Sequence, residues 1–204
     1  FSIGVWDRAE KEFAQFIEKH PKSERRAAAV SFEAQALFQQ QKFTAVVALL
    51  NTHLSEAGKL ADQFLFWTGE AECQNTNYPG AAAAFGKLAR EFRDSPRRLE
   101  GAVGEAAARA KLGEWATVVT LLQPPDSAFR QASAGLANNE WTTRGLLLLA
   151  EAQLAQNHFA ETEAALKEIS AELTPELDWR RRHLRARQGD RGRRRHRDGH
   201  RRDP

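Results

Sequence analysis

Residues 59–96 constrain the fold most, because they contain two amphipathic helical patterns joined by a short polar turn. The polar residues 75–77 separate the patterns, and Pro79 falls near the first turn of the second helix, where its missing N–H costs nothing. Neither helix can bury its apolar face alone, so this unit requires similar units on either side. The first pattern places four apolar residues on one face of a helix, namely Leu60, Phe64, Trp67 and Ala71.

The same unit recurs along the chain, at spacings of 37, 35, 37 and 44 residues. An aromatic residue opens the second helix of each copy: Trp6, Phe43, Tyr78, Trp115 and Phe159. Nine residues before the last four of these lies a small residue, which lets two helices approach closely: Ala34, Gly69, Ala106 and Ala150. Three residues after each aromatic lies a small or β-branched residue: Ala9, Val46, Ala81, Val118 and Thr162. Seven residues after it lies a large apolar residue: Phe13, Leu50, Phe85, Leu122 and Leu166.

This periodicity predicts an all-α fold, an α-solenoid of antiparallel helix pairs. Residues 1–22 are expected to form the second helix of a truncated repeat. The sequence contains no methionine and opens inside a helical pattern, so we expect a fragment of a longer protein. Residues 23–178 are expected to hold about four helix pairs. A loop insertion at residues 123–139 accounts for the longest spacing and is expected to include a short helix over residues 127–136.

Three phrases of the sequence resemble tetratricopeptide (TPR) repeats: Glu33-Ala34 with Lys42-Phe43, Gly69-Glu70-Ala71 with Tyr78, and Gly113-Glu114-Trp115. The resemblance covers roughly residues 5–178. It implies a right-handed superhelix that acts as a non-catalytic protein-interaction scaffold. Residues 20–23 and 92–96 are similar to phrases in bacterial cell-envelope members of the family, which include outer-membrane-assembly lipoproteins and periplasmic coordinators of envelope construction. That similarity favours the periplasm or cell envelope over the cytoplasm.

The resemblance also implies a binding surface, because the first helices of such repeats line a concave face. Amides there can pair with the backbone of an extended peptide, and aromatic rings can hold an apolar side chain. An alternative stays open for Phe38 and Phe66, which could instead pack against neighbouring units. The positions implied to be exposed on this face and to bind a protein or peptide partner are Gln35, Phe38, Gln39, Gln63, Phe66, Glu70, Gln74, Lys111, Arg144 and Glu151.

No motif in the sequence indicates catalysis. It contains no nucleophile–base motif, no glycine-rich phosphate loop and no zinc-ligand spacing, so we predict a protein that is not an enzyme and that uses no cofactor or metal. The single cysteine, Cys73, excludes an internal disulfide and is expected to pack as a small apolar residue. No apolar run approaches the roughly 18 residues that a transmembrane helix requires.

The C-terminal residues differ in composition from the rest of the chain. Residues 180–204 contain 12 Arg and 3 Asp and sum to +9, whereas the first 179 residues sum to −6. Residues 179–204 are expected to begin a further helix and then, from Gln188, to form a disordered tail, since no aliphatic or aromatic residue follows. Three interpretations remain open for this tail: it binds nucleic acid through phosphates, it binds anionic lipid, or it is a frameshift artefact of a GC-rich gene.

Overall fold

The computed structural model describes residues 3–169 and 175–199. Two short 3-10 turns, Leu54–Glu56 and Gly58–Leu60, connect the third and fourth helices. These described residues contain no strand, so the prediction of an all-α chain is confirmed. The α-helices are α1 (Ile3–Lys19), α2 (Arg26–Gln39), α3 (Phe43–His53), α4 (Ala61–Gln74), α5 (Tyr78–Glu91), α6 (Arg98–Lys111), α7 (Trp115–Leu122), α8 (Ala128–Ser133), α9 (Glu140–Ala155), α10 (Phe159–Lys167) and α11 (Pro175–Gly199).

The chain divides into two compact units, one ending at Ala108 and the other beginning at Arg109. In the first unit α1 packs on α2, α2 on α3, α3 on α4 and α4 on α5, and α2 also contacts α4. In the second unit α7, α10 and α11 all pack on α9, and the short α8 contacts both α7 and α9. Helices that follow one another in sequence therefore pack together, an arrangement compatible with an α-solenoid.

The same turn occurs four times, immediately before α3, α5, α7 and α10. A residue with left-handed backbone lies two positions before each opening aromatic: Gln41 (φ 61°), Thr76 (φ 58°), Gly113 (φ 75°) and Asn157 (φ 62°). The next residue donates its N–H to the carbonyl five positions earlier, as in a Schellman motif. These bonds join Lys42 to Leu37 (3.0 Å), Asn77 to Glu72 (2.9 Å), Glu114 to Arg109 (3.0 Å) and His158 to Gln153 (2.9 Å). The four helices then begin at Phe43, Tyr78, Trp115 and Phe159, as the alignment predicts.

Burial follows the repeat positions. The small residues nine positions before each aromatic are buried, and so are the residues three and seven positions after it in the four complete pairs. The opening aromatics of these four pairs are themselves only half-buried. The core of each pair therefore consists of the residues nine positions before the aromatic and three and seven positions after it, rather than of the aromatic itself.

Phe85 shows why small residues are needed in the first helices. Its ring is 2% exposed and lies between α4 and α6. A Cβ added to Gly69 would lie 2.7 Å from the ring on the α4 side, and one added to Gly104 would lie 2.8 Å from it on the α6 side. Such distances are shorter than real Cβ contacts, so the ring fits only because both positions are glycine.

The insertion at residues 123–139 is fixed to the second unit by α8. Ser127 caps this helix, accepting a hydrogen bond from the Arg130 N–H at 3.2 Å. Phe129 is fully buried against α9, where an added Cβ on Gly145 would lie 2.3 Å from its ring. The Arg130 guanidinium also pairs with the Glu168 carboxylate. The predicted short helix is present, and it is anchored by an apolar side chain and an ion pair.

Two predicted boundaries differ from the structure. The predicted helix pairs begin at residue 23, with Ser23 as the expected N-cap, but α2 begins at Arg26, and the Ser23 hydroxyl accepts a hydrogen bond from the Arg25 N–H in the preceding turn. The disorder expected from Gln188 is wrong as far as Gly199, because α11 continues to that residue. Arginine is a strong helix former, and a helix already nucleated by packed residues extends easily. Residues 170–174, within the predicted helix pairs, and the last five residues lie outside the described residues.

Candidate protein-binding surface

Five aromatic side chains of α2, α3, α4 and α5 contact one another in sequence; we call them the aromatic row. Phe43 lies 5.1 Å from Phe38, and Phe38 lies 5.2 Å from Trp67, measured between ring centroids. Trp67 lies 5.5 Å from Phe66, which lies 6.2 Å from Phe85. All four contacts are edge-on, the geometry that the aromatic quadrupole favours.

The structure answers the alternative left open for Phe38 and Phe66. Both side chains are half-buried and pack on rings of neighbouring helices. The Arg97 guanidinium also lies over Phe66, with its carbon 4.2 Å from the ring centroid. Such a cation–π contact contributes about 0.5–1 kcal/mol at an exposed site. The two rings therefore pack on neighbouring helices, Phe38 on α4 and Phe66 on α5, while keeping some surface open to solvent.

The predicted amide and carboxylate positions of the first unit lie on the same two helices, α2 and α4. Gln35 is half-buried and donates its Nε2–H to the Ser31 hydroxyl at 3.3 Å. Gln39 and Gln74 are exposed at the ends of their helices, while Gln63 and Glu70 are half-buried. The structure thus brings seven of the ten predicted positions onto two adjacent helices, since α2 and α4 are in contact.

The three remaining predicted positions belong to the second unit, and two of them already have charged partners. Arg144 donates to the Glu140 carboxylate at 2.6 Å and lies over the Trp141 ring, 5.0 Å from its centroid. Glu151 faces Arg180 of α11 at 3.5 Å. Lys111 is exposed at the end of α6. A partner that binds at Arg144 or Glu151 would have to compete with ion pairs within the protein.

Sequence reasoning missed a second aromatic feature, on α1 and α2. Phe32 is 52% exposed and stacks on Phe13, with ring centroids 5.4 Å apart. Phe32 lies eleven residues before Phe43, the position that Trp67 holds in the next unit. Trp67 was predicted to lie on the apolar face of its helix, whereas Phe32 was not assigned to any surface. Comparison with Trp67 could have shown that the Phe32 side chain reaches the preceding unit.

Glu33 has the most perturbed pKa among the groups that show a resolved shift. Burial, and secondarily the negative charge of Glu10, raises the pKa of Glu33 to about 7. The pKa of Glu10 is instead lowered, chiefly because the Lys42 ammonium donates to its carboxylate at 2.7 Å. Burial lowers the pKa of His53, with a further contribution from the nearby Arg26 charge. Each of these shifts follows from helix packing.

No protein-family model matches this chain, and no curated protein is significantly similar to it. In the part of the chain that the structure describes, three or more His, Cys, Asp or Glu side chains nowhere converge as a metal site would require. Among the described helices, none combines the length and apolar character needed to cross a bilayer.

Proposed function

We propose that this chain is a non-catalytic, TPR-like scaffold that binds a partner protein through a segment lying across α2 and α4. The proposal takes the helix pairs to be antiparallel and to form a right-handed superhelix with the first helices on its concave face. The observation that supports it best is the aromatic row beside the amides of Gln35, Gln39 and Gln63. We also propose a bacterial cell-envelope setting, on the similarity of residues 20–23 and 92–96 to proteins of that compartment.

The chemistry of this surface suits an extended peptide with apolar side chains. Rings held by edge-on contacts are already ordered, so binding them requires little loss of side-chain entropy. Amide side chains can donate to and accept from a peptide backbone without a preference for its charge. We therefore expect a partner segment that places an aromatic or aliphatic residue against Phe38 and Phe66 and pairs its backbone with the glutamines.

Selection of peptides on the full chain tests this proposal. A library of random peptides is selected for binding, and the affinities of the selected peptides are then measured by fluorescence anisotropy. The double variant Gln35→Ala, Phe66→Leu is expected to weaken binding by about tenfold, because hot-spot contacts of this kind contribute about 1.4 kcal/mol or more. Leucine keeps an apolar side chain at position 66, so the helices are expected to stay folded.

Gln15→Ala is the matched control, because Gln15 is an exposed glutamine on α1, which is not one of the two helices of the proposed surface. It is expected to leave the affinity unchanged. Circular dichroism melting curves show whether each variant is folded. Selected peptides that bind wild type and the folded double variant equally would refute binding at α2 and α4.

A second candidate function rests on the Arg-rich end of α11. Residues 180–204 carry a net charge of +9, and a helix extends through most of them. Arginines on a helix can neutralise phosphates and release counterions, which makes binding strongly dependent on salt. Deleting residues 189–204 is expected to abolish any salt-dependent binding to a labelled DNA duplex or to anionic vesicles. Binding that survives this deletion would exclude residues 189–204 as the contact.

A further inference from the structure

A cavity of about 270 Å³ lies at one end of the first complete helix pair. Its lining includes Lys22 and Glu24 from the α1–α2 turn and Arg26 from the first turn of α2. His53 at the end of α3 and Glu56 in the 3-10 turn that follows complete its charged and titratable groups. Most of the groups that border this cavity are therefore able to bind or exchange ions.

The second pair contains the equivalent cavity, of about 410 Å³, between the end of α3, the start of α4 and the end of α5. Leu65 and Glu91 line this second cavity. They hold the repeat positions of Val30 and Glu56, which line the first cavity. The second cavity is open although the complete pair of α2 and α3 precedes it. A cavity at this place is therefore a property of the repeat itself.

Two side chains distinguish the first cavity from the second. Arg26 lies 17 residues before the opening aromatic of its pair, where the second pair has Ala61. His53 lies ten residues after that aromatic, where the second pair has Leu88. Ala61 lines the second cavity, and Leu88 is fully buried. The first pair thus places two nitrogen-bearing side chains where the second pair has apolar ones.

These two side chains are not fully satisfied within the described part of the chain. Glu56 binds Nη1 of Arg26, but Nε of Arg26 is buried without a hydrogen-bond partner. Nδ1 of His53 is also buried without a hydrogen bond, at 3.5 Å from the Glu56 carboxylate. By contrast Arg98, at the same repeat position as Arg26, donates its Nε–H to the Ala89 carbonyl at 3.1 Å. Buried polar atoms nearly always have a partner, so the first cavity calls for a ligand that supplies acceptors.

The chemistry of the lining favours an oxyanion. The edge formed by Nε and Nη2 of Arg26 matches two oxygens of a carboxylate or phosphate. Lys22 adds a second positive charge, and a protonated His53 would add a third. A phosphate group has oxygens in several directions and up to two negative charges, so it suits donors from three segments better than a carboxylate does. Glu24, an acidic side chain of the lining, is exposed to solvent.

Glu56 already occupies the place of such a ligand. Its carboxylate is the anion that Arg26 binds, and its side chain is 58% exposed on a short 3-10 turn. Another anion can therefore replace it, because the Glu56 side chain is able to turn outward into solvent. Release of Glu56 also frees the Arg26 guanidinium to turn its unpaired edge towards the cavity.

We propose that this cavity, here called the anion site, binds a phosphate group through Arg26, His53 and Lys22 in exchange for Glu56. The group is either free phosphate or a phosphate monoester. None of these residues belongs to the surface proposed to bind an extended peptide. The anion site therefore goes beyond that proposal and does not depend on it.

Isothermal titration calorimetry on the full chain tests the ligand class. The probes are inorganic phosphate, glycerol 3-phosphate and acetate, each at the same total ionic strength. Phosphate is expected to bind saturably, and acetate at least about tenfold more weakly, because it brings one charge and two oxygens. Tighter binding of glycerol 3-phosphate than of inorganic phosphate would assign the site to a monoester, and the reverse order would assign it to the free ion.

Variants of the protein locate the site. Arg26→Ala and His53→Leu introduce the residues of the second pair, so the helices should stay folded. Each should weaken phosphate binding at least about tenfold, through the loss of a charge-assisted hydrogen bond. Glu56→Gln should tighten it about tenfold, because a competing carboxylate is removed. Lys87→Ala is the matched control, since Lys87 lines the second cavity, and it should leave the affinity unchanged. Circular dichroism melting curves show whether each variant is folded.

Nuclear magnetic resonance titration of the His53 ring gives a readout that is independent of affinity. Burial, and secondarily the charge of Arg26, lowers the pKa of His53. Glu56 is the acidic group nearest its Nδ1, and Lys22 and Glu24 border the same cavity. A bound anion favours the protonated ring, so saturation with sulfate, which stays a dianion throughout, should raise the pKa of His53. The His53→Leu spectrum identifies the signal.

Three results would each overturn the proposal. They are phosphate binding no tighter than acetate, unchanged phosphate affinity in a folded Arg26→Ala variant, and no gain of affinity in Glu56→Gln. A pKa of His53 that does not move with saturating sulfate would remove His53 from the site.

Discussion

Replacing Gly69 with alanine tests the close packing around Phe85. The new Cβ would lie 2.7 Å from the ring. The ring cannot move away, because Gly104 lies so close to its other side that a Cβ added there would be 2.8 Å from it. Overpacking of this kind destabilises by about 1–3 kcal/mol, while replacing a helical glycine with alanine gains about 1 kcal/mol. We therefore expect a net loss of up to about 2 kcal/mol, which corresponds to a melting temperature lower by up to about 8 °C for a chain of this size.

The assay is urea denaturation followed by far-ultraviolet circular dichroism, together with a thermal melt. Gly4→Ala is the matched control, because Gly4 lies in α1 and an added Cβ would have no atom within 4 Å. That change should be neutral or stabilise by up to about 1 kcal/mol. Phe85→Leu in the Gly69→Ala background should cost less than Phe85→Leu alone, because the smaller side chain relieves the overlap. A Gly69→Ala variant as stable as Gly4→Ala would refute the packing argument.

Three further predictions concern stability. Phe129→Ala should destabilise by about 3–5 kcal/mol in urea, because its fully buried ring anchors α8, and a loss below about 1 kcal/mol would mean that the insertion is not anchored there. Glu33→Gln should stabilise by about 1 kcal/mol near pH 8 and little near pH 4. The pKa of Glu33 in the folded protein is raised to about 7, so ionisation of this carboxyl destabilises the fold as pH rises. Solvent screening reduces the size of the effect. A pH-independent difference would contradict this reasoning. Arg90→Ala should destabilise by about 2–3 kcal/mol in thermal and urea denaturation, because it leaves the buried Glu105 carboxylate without its two 2.9 Å hydrogen bonds from Arg90. A variant as stable as wild type would show that water replaces the guanidinium.

The helix pairs could be predicted from the sequence because the residues of the turn and of the core recur at the same distances from each opening aromatic. An aromatic residue after a left-handed turn marks where each second helix begins, and the small residues of the first helices mark where two helices touch. Trp115 begins α7 as predicted, and Pro124 follows its end closely. These features are local, so neighbouring residues determine them.

The exposure of individual side chains could not be predicted in the same way. Phe38 and Phe66 lie at positions expected to face a partner, yet both pack on rings of adjacent helices. Whether a ring at such a position reaches a neighbour depends on the size of the residue opposite it, for example Trp67 opposite Phe38. Phe32 was missed for the same reason, because the ring on which it stacks, Phe13, belongs to another helix. The extension of α11 beyond Gln188 was missed because the prediction rested on the lack of apolar residues there and not on the high helix propensity of arginine.

The four identical turns determine where this chain can change its length. Each turn within a pair has a residue of left-handed conformation at the same position and the same hydrogen bond, so an added residue there would shift the second helix relative to the first. The connections between pairs take several forms. The α1–α2 and α5–α6 connections share one turn, in which the hydroxyl of Ser23 or Ser95 accepts a hydrogen bond from the N–H two residues later, whereas two 3-10 turns follow α3 and the anchored α8 follows α7. Inserted sequence is therefore tolerated between pairs, and the exposed residues 134–138 are the place where a new recognition loop could be added without disturbing any helix contact.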